Sequence, residues 1–186
     1  MHDPSSPATI PDRGGADKMA DPGMAPDRIM FRPETPDDAA LIARAHTGHW
    51  RAPAGFALPA PMLATLLAQQ HAGQERHIAS RHPGAERRMI LADGMAVGRL
   101  CLDRTTLPWH IIDLALVAEA TGQGIGRAVL DRLKAEAASA NAALMLDVAH
   151  DNPRAQALYH RAGFIPAGGD SATHPRMMWR NRQTPA

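Results

Sequence analysis

The chain has 186 residues, a formal net charge of +1 and 45% apolar residues, which is typical of one globular domain with a substantial core. The small charge gives no support for a nucleic-acid or membrane surface. The single cysteine excludes an internal disulfide framework, and no signal-like segment or long apolar run is present. We therefore predict a cytoplasmic protein that binds neither nucleic acid nor membranes.

The first ordered pattern begins near residue 28. Residues 1–27 are rich in proline, glycine and aspartate and lack apolar periodicity, so we predict a disordered tail before a domain over 28–186. Ile29–Arg32 reads as a short strand. The segment Thr35–Asp38 then has the N-cap, first-turn proline and acidic first turn of a helix that reaches about His46.

The next elements are a loop, a helix and a hairpin. Prolines between Pro53 and Pro61 predict the loop, and spaced leucines in Met62–Ser80 predict the helix. The apolar runs Arg88–Ala92 and Met95–Asp103 flank Asp93–Gly94, a dipeptide typical of a hairpin turn.

Trp109–Val117 is apolar on both faces, which predicts a central strand. A helix over Ile125–Ser139 leads to a strand at Leu144–Val148, and this crossover would make the two strands parallel neighbours. The remaining predicted elements are a helix that starts at Asn152 and strands at Phe164–Ala167 and Met177–Arg180.

A glycine-dense turn joins the Trp109 strand to the following helix. Gly122, Gly124 and Gly126 allow close approach of a ligand to the main chain, and the helix N-terminus attracts anions. Arg127 can add a positive charge. The spacing excludes two better-known phosphate loops. The dinucleotide fingerprint needs a small residue at the position of Arg127, and the P-loop needs Lys and then Ser or Thr after its last glycine. We predict a phosphate-binding turn of another type.

A second motif runs from Asn152 to Phe164. Asn152 is a good N-cap and Pro153 suits the first helical position. Apolar residues that include Tyr159 recur at helical spacing, and Gly163 is placed to end the helix in a left-handed conformation.

Together these motifs resemble those of the GCN5-related N-acetyltransferase (GNAT) family. Thr121–Gly126 is similar to its Arg/Gln-x-x-Gly-x-Gly/Ala pattern, with Thr121 in place of the usual Arg or Gln, and Asn152–Phe164 is similar to Asn-x-x-Ala-x-x-Leu-Tyr-x-x-x-Gly-Phe. The resemblance covers roughly residues 28–181. It implies a mixed α/β fold with a mostly antiparallel sheet of six to seven strands, a splayed parallel central pair and about four helices.

The resemblance also implies direct transfer of an acetyl group from acetyl-CoA to a primary amine of a small molecule or peptide, with no metal. Asn152 would contact the cofactor, and Tyr159 would contact it and protonate the departing thiolate. Backbone groups of Leu114, Ala115 and Leu116 would hold the pantetheine and thioester. The implied pyrophosphate site consists of Gly122, Gln123, Gly124, Ile125, Gly126 and Arg127.

The general base is less well defined. Asp113, Asp147 and His150 all lie near the ends of the two splayed strands, and Asp113 is the candidate that we name, although an ordered water could also relay the proton. Tyr159 could instead be a core residue. Cys101 lies mid-strand with no histidine at a suggestive spacing, so we predict a buried structural thiol. The histidines show no zinc-site spacing.

Two other functions remain open. The presence of Thr121 in place of the usual Arg or Gln is compatible with a catalytically inactive acyl-CoA-binding module that acts as a sensor or interaction domain. The presence of Tyr159 argues against this alternative. A structural or regulatory partner that uses the proline-rich tail is supported by composition alone. The sequence does not identify the acceptor, and it allows a monomer or a homodimer.

Overall fold

The computed structural model of the chain describes residues 28–47, 58–168 and 173–181. The predicted tail over 1–27 and most of the predicted proline-rich loop lie outside these described residues.

Every helix and strand predicted within the described residues is present, and the hairpin strand Met95–Asp103 and the helix Ile125–Ser139 have the predicted bounds. The second helix begins two residues earlier than predicted, because Pro61 is tolerated in a first turn. Short 3₁₀ turns at Pro36–Asp38 and Ala118–Ala120 complete the described elements. In chain order the elements are β1 (Ile29–Pro33), α1 (Ala39–Thr47), α2 (Ala60–Arg81), β2 (Glu86–Ala92), β3 (Met95–Asp103), β4 (Trp109–Leu116), α3 (Ile125–Ser139), β5 (Leu144–Asp147), α4 (Pro153–Arg161), β6 (Ile165–Pro166) and β7 (Arg176–Trp179).

The strands form one seven-stranded sheet in the order β1-β2-β3-β4-β5-β7-β6. All neighbours are antiparallel except β4 and β5, which are parallel and lie near the middle of the sheet. The predicted fold class, with its parallel central pair and four helices, is confirmed.

The helices cover both faces of the sheet. Arg99 of β3 pairs with Glu75 of α2, whereas Arg88 of β2, which lies opposite Leu100 of β3, pairs with Glu136 of α3. Adjacent residues of a strand point to opposite faces. Helices α1 and α2 therefore cover one face, and α3 covers the other above the main apolar core.

Gly98 brings β3 unusually close to β4, beside the segment that the sequence assigns to cofactor binding. A Cβ added to Gly98 would lie 2.2 Å from the carbonyl oxygen of Ala115. We expect Gly98→Ala to lower the free energy of unfolding by about 1–3 kcal/mol, the usual cost of overpacking. Urea denaturation measures this effect.

The matched control is Gly73→Ala on α2, where the nearest atom to an added Cβ is Arg76 Nη2 at 4.0 Å. Because alanine is the better helix former, this variant should be more stable than wild type by up to about 1 kcal/mol. Equal stability of Gly98→Ala and wild type would contradict the close approach of the two strands.

Candidate active site

The parallel strands β4 and β5 diverge after three paired residues. β4 pairs with β5 only over residues 109–111, whose partners are residues 144–146, although it pairs with β3 as far as Leu116. The backbone of β4 beyond Ile111 thus has no partner in β5. The predicted splay is present, and the segment from Leu114 to Leu116 borders the gap.

The glycine turn lies where β4 runs into α3. Gly122 and Gly124 have φ values of 80° and 79°, in the left-handed region that favours glycine, and Gly124 is the N-cap of α3. Amides in the first turn of a helix have no intrahelical acceptor, so they are available to an anion. The Thr121 hydroxyl donates to the carbonyl of Ala118 at 2.8 Å and thereby closes the 3₁₀ turn before the glycines.

The side chains of this turn mostly serve the fold. Gln123 donates to the carbonyl of Glu119 at 2.6 Å, and Ile125 is buried in the core. A Cβ added to Gly126 would lie 3.1 Å from Leu158 Cδ2, so this glycine lets α3 pack closely against α4. These residues can contribute to an anion site chiefly through their backbone amides.

Arg127 is engaged away from the predicted phosphate site. Its Nη1 donates to the carbonyl of Arg161 at 2.5 Å, and its Nε donates to Asp131 at 2.8 Å. Its guanidinium thus joins α3 to the end of α4. The predicted role of Arg127 in cofactor binding rests on its backbone N–H.

Arg154 lies beside the turn, although neither sequence motif selects it. It is an exposed residue in the first turn of α4, and a Cβ added to Gly122 would lie 3.6 Å from its Nη2. Arg154 therefore places a cation next to the glycines in a loop where Thr121 replaces the usual Arg or Gln. Only the packing of α4 against this loop brings the two together.

Helix α4 has the predicted capping residues. Asn152 Oδ1 accepts a hydrogen bond from the backbone nitrogen of Ala155 at 3.0 Å, and Gly163 has a φ of 88°. Tyr159 is 9% exposed, and its ring centroid lies 5.9 Å from that of Phe164. Burial, and then the charge of Asp113, raises the pKa of Tyr159 to about 12. The two predicted catalytic side chains are therefore close enough to interact electrostatically.

Asp113 lies within a buried group of charges. Its Oδ2 is 3.0 Å from Arg99 Nη2 and 3.3 Å from His46 Nε2. The side chain of Arg99 is only 1% exposed and also lies 2.6 Å from Glu75. The His46 ring lies 4.9 Å from that of His71.

These contacts decide the ionisation of Asp113. Burial opposes the charged form, but His46 and Arg99 outweigh it and hold the pKa of Asp113 below its usual value. A carboxylate of lowered pKa is a weak base and an effective counter-charge. Burial raises the pKa of the neighbouring Cys101 thiol to about 12, which is consistent with the predicted structural role.

A cleft of about 790 Å³ opens on the face covered by α2, at the level where β4 and β5 diverge. Asp147, another candidate base, pairs there with Arg176 at 3.0 Å and lies 3.5 Å from His110. His150 is exposed and is not among the lining residues. Those lining residues include His77 and Arg81 of α2, His110 and Ile112 of β4, Asp147 of β5 and Arg176 of β7.

No group of three or more His, Cys, Asp or Glu side chains in the described ranges could hold a metal ion. None of the helices over the same residues is long and apolar enough to cross a membrane.

The model of the acetyltransferase (GNAT) family matches residues 49–164, well over half of the chain. The chain belongs to this family. It is an enzyme of the GNAT acyltransferase type, as the sequence motifs predicted. A search of curated proteins gives no significant match.

Solved structures of this type share the fold. PaiA N-acetyltransferase from Thermoplasma acidophilum in complex with coenzyme A has a TM-score of 0.61 at 16% identity, over 82% of this chain and 99% of that one. Histone acetyltransferase HPA2 and related acetyltransferase from Corynebacterium glutamicum has a TM-score of 0.56 at 23% identity, over 85% and 98%. Spermidine N-acetyltransferase SpeG from Vibrio cholerae has a TM-score of 0.53 at 18% identity, over 82% and 94%.

Proposed function

We propose that the protein transfers an acetyl group from acetyl-CoA directly to a primary amine. The observation that carries this proposal is the gap beyond Ile111, where β4 has no partner in β5. The glycine turn lies at the end of that strand, and Tyr159 of α4 lies within electrostatic range of Asp113 on it. The glycine turn and the open strand edge are thus consecutive along the chain, and the charge of Asp113 on the same strand acts on the buried hydroxyl.

Each group has a role in acetyl transfer. Acetyl-CoA supplies the activated thioester. The amides of Gly122 to Arg127, with the Arg154 guanidinium, hold its pyrophosphate. A backbone N–H of the segment from Leu114 to Leu116 stabilises the negative charge that develops on the carbonyl oxygen. Tyr159 donates its hydroxyl hydrogen to the departing sulfur.

The acceptor amine enters through the cleft on the α2 face. Among the described lining residues Asp147 is the single carboxylate, and Arg176 neutralises it. Arg81 and several histidines make the remaining polar lining neutral or positive. Such a cleft disfavours polycationic acceptors and favours amines that carry a neutral or anionic group.

A free-thiol assay with acetyl-CoA tests the proposed function. The amine panel contains spermidine, tryptamine, glutamate and a peptide with a free amino terminus, and mass spectrometry identifies the product. We expect amine-dependent thiol release, weakest with spermidine. Coenzyme binding without such release for any amine would favour the sensor module, and absence of binding at millimolar acetyl-CoA would contradict both functions.

Arg154→Gln should weaken acetyl-CoA binding by about 10- to 100-fold, because a hydrogen bond to a charged group contributes about 1.5–3 kcal/mol and 1.4 kcal/mol corresponds to a factor of ten. Calorimetric titration measures the change. Arg161→Gln, at the exposed end of the same helix, is the matched control and should bind normally. Equal affinity of both variants would exclude Arg154 from the pyrophosphate site.

A further inference from the structure

The buried charges around Asp113 are more extensive than the binding of acetyl-CoA requires. They come from five elements and from the segment after β1, and we call them the His46 cluster. Its titratable and charged members are Glu34 after β1, His46 of α1, His71 and Glu75 of α2, Arg87 of β2, Arg99 and Cys101 of β3, and Asp113 of β4, and the charge of Asp113 also acts on Tyr159 of α4.

The His46 cluster has an excess of negative charge when its imidazoles are neutral. Three carboxylates, on Glu34, Glu75 and Asp113, face two guanidinium groups, on Arg99 and Arg87. One negative charge is therefore left over. A proton taken up by an imidazole of the cluster during the reaction would balance this charge.

Several polar atoms of the cluster are buried without a hydrogen-bond partner among the described residues. They include His46 Nε2, His71 Nδ1 and Arg99 Nη2. Their contacts with neighbouring charges are close but not aligned as hydrogen bonds.

We propose that His46 is the general base that takes the proton from the acceptor amine and that Asp113 is its positioning residue. This inference rests on the proposed function. His46 is 14% exposed at the end of α1, and its Nε2 faces the Asp113 carboxylate at 3.3 Å. The carboxylate favours the tautomer with hydrogen on Nε2, which leaves the Nδ1 lone pair to accept a proton.

The other nearby groups are less suited to this step. Asp113 is held as a weak base by its two cationic neighbours, and Tyr159 stays protonated. Burial, and then the nearness of His46, lowers the pKa of His71. In the balanced step the protonated amine gives one proton to His46, the N–C bond forms and the C–S bond breaks. Tyr159 gives its hydroxyl proton to the sulfur and regains a proton from the second N–H bond of the nitrogen, which breaks as the amide forms.

A pair of amines of similar size but different basicity tests this role. Ethylamine is protonated at neutral pH and needs a base, whereas 2,2,2-trifluoroethylamine is largely neutral there. His46→Gln should lower kcat/KM for ethylamine by about 10²–10⁴, the range of general base catalysis, and affect trifluoroethylamine much less. The affinity for acetyl-CoA should not change. His160→Gln, an exposed position on α4, is the matched control.

The ring tautomer of His46, read from the ¹⁵N chemical shifts of the coenzyme-A-bound protein, gives a readout that needs no acceptor. Asp113→Ala removes the carboxylate that favours hydrogen on Nε2, so the preference for that tautomer should be lost. An unchanged tautomer would overturn the inference, as would equal losses for both amines in an active protein. Wild-type protein that acetylates neither amine of this pair nor any amine of the panel would instead contradict the proposed function itself.

Discussion

Gly124→Val should abolish acetyl-CoA binding and leave the domain folded. Gly124 has a φ of 79° at the N-cap of α3, a conformation that a β-branched residue adopts only at a cost of about 1–3 kcal/mol. A side chain there would also occupy the space where backbone amides meet the pyrophosphate. Calorimetric titration should show binding to wild type and none to the variant at millimolar acetyl-CoA.

Gly94→Val is the control that separates backbone strain from loss of the site. Gly94 has a nearly identical φ of 81°, lies in the β2–β3 turn and has no atom within 4 Å of an added Cβ. We expect both variants to lose similar stability and only Gly124→Val to lose binding. If Gly124→Val bound acetyl-CoA normally, the glycine turn would not be the pyrophosphate site.

Local chemistry explains which elements the sequence could predict. Asp93–Gly94 defined the hairpin because both residues have positive φ there, and the glycine N-cap defined the start of α3. The register shift opposite Ile112, between Cys101 and Leu102, was not predictable. This bulge depends on how β3 and β4 pair with each other. An interpretation of the sequence that assumes strict alternation of side chains along β4 cannot detect it.

In the candidate site, too, the residues that the sequence could predict are those with a local structural role, and those that it could not predict depend on tertiary packing. The motifs selected the glycine turn, Asn152 and Tyr159, because each has a local backbone role. They could not select Arg154 or His46, since each is brought to the site by a helix that packs against a distant segment. Asp113 was selected by position, but its partners on α1 and β3 favour the role of a counter-charge.

Tyr159→Phe should lower the acetyl-transfer rate by up to about 10²–10⁴, the range of general acid catalysis. The raised pKa of about 12 keeps the phenol protonated throughout the neutral range. A thiolate formed in the same buried region also has a raised pKa, because desolvation disfavours its charge, and this offsets the weaker acidity of the phenol. Acetyl-CoA affinity should stay nearly unchanged, since phenylalanine keeps the ring that packs against Phe164.

The same variant distinguishes catalysis from packing. Removal of one hydroxyl removes at most a hydrogen bond or two, so Tyr159→Phe should change the free energy of unfolding by only about 0.5–1.5 kcal/mol, the net contribution of a typical hydrogen bond. Phe164→Leu is the matched packing control: it should cost about 1 kcal/mol or more of stability but leave kcat close to wild type. A core role for Tyr159 would reverse this pattern, with turnover of Tyr159→Phe intact. Measured together, kcat and unfolding free energy of these two variants decide whether the hydroxyl reaches the departing thiolate.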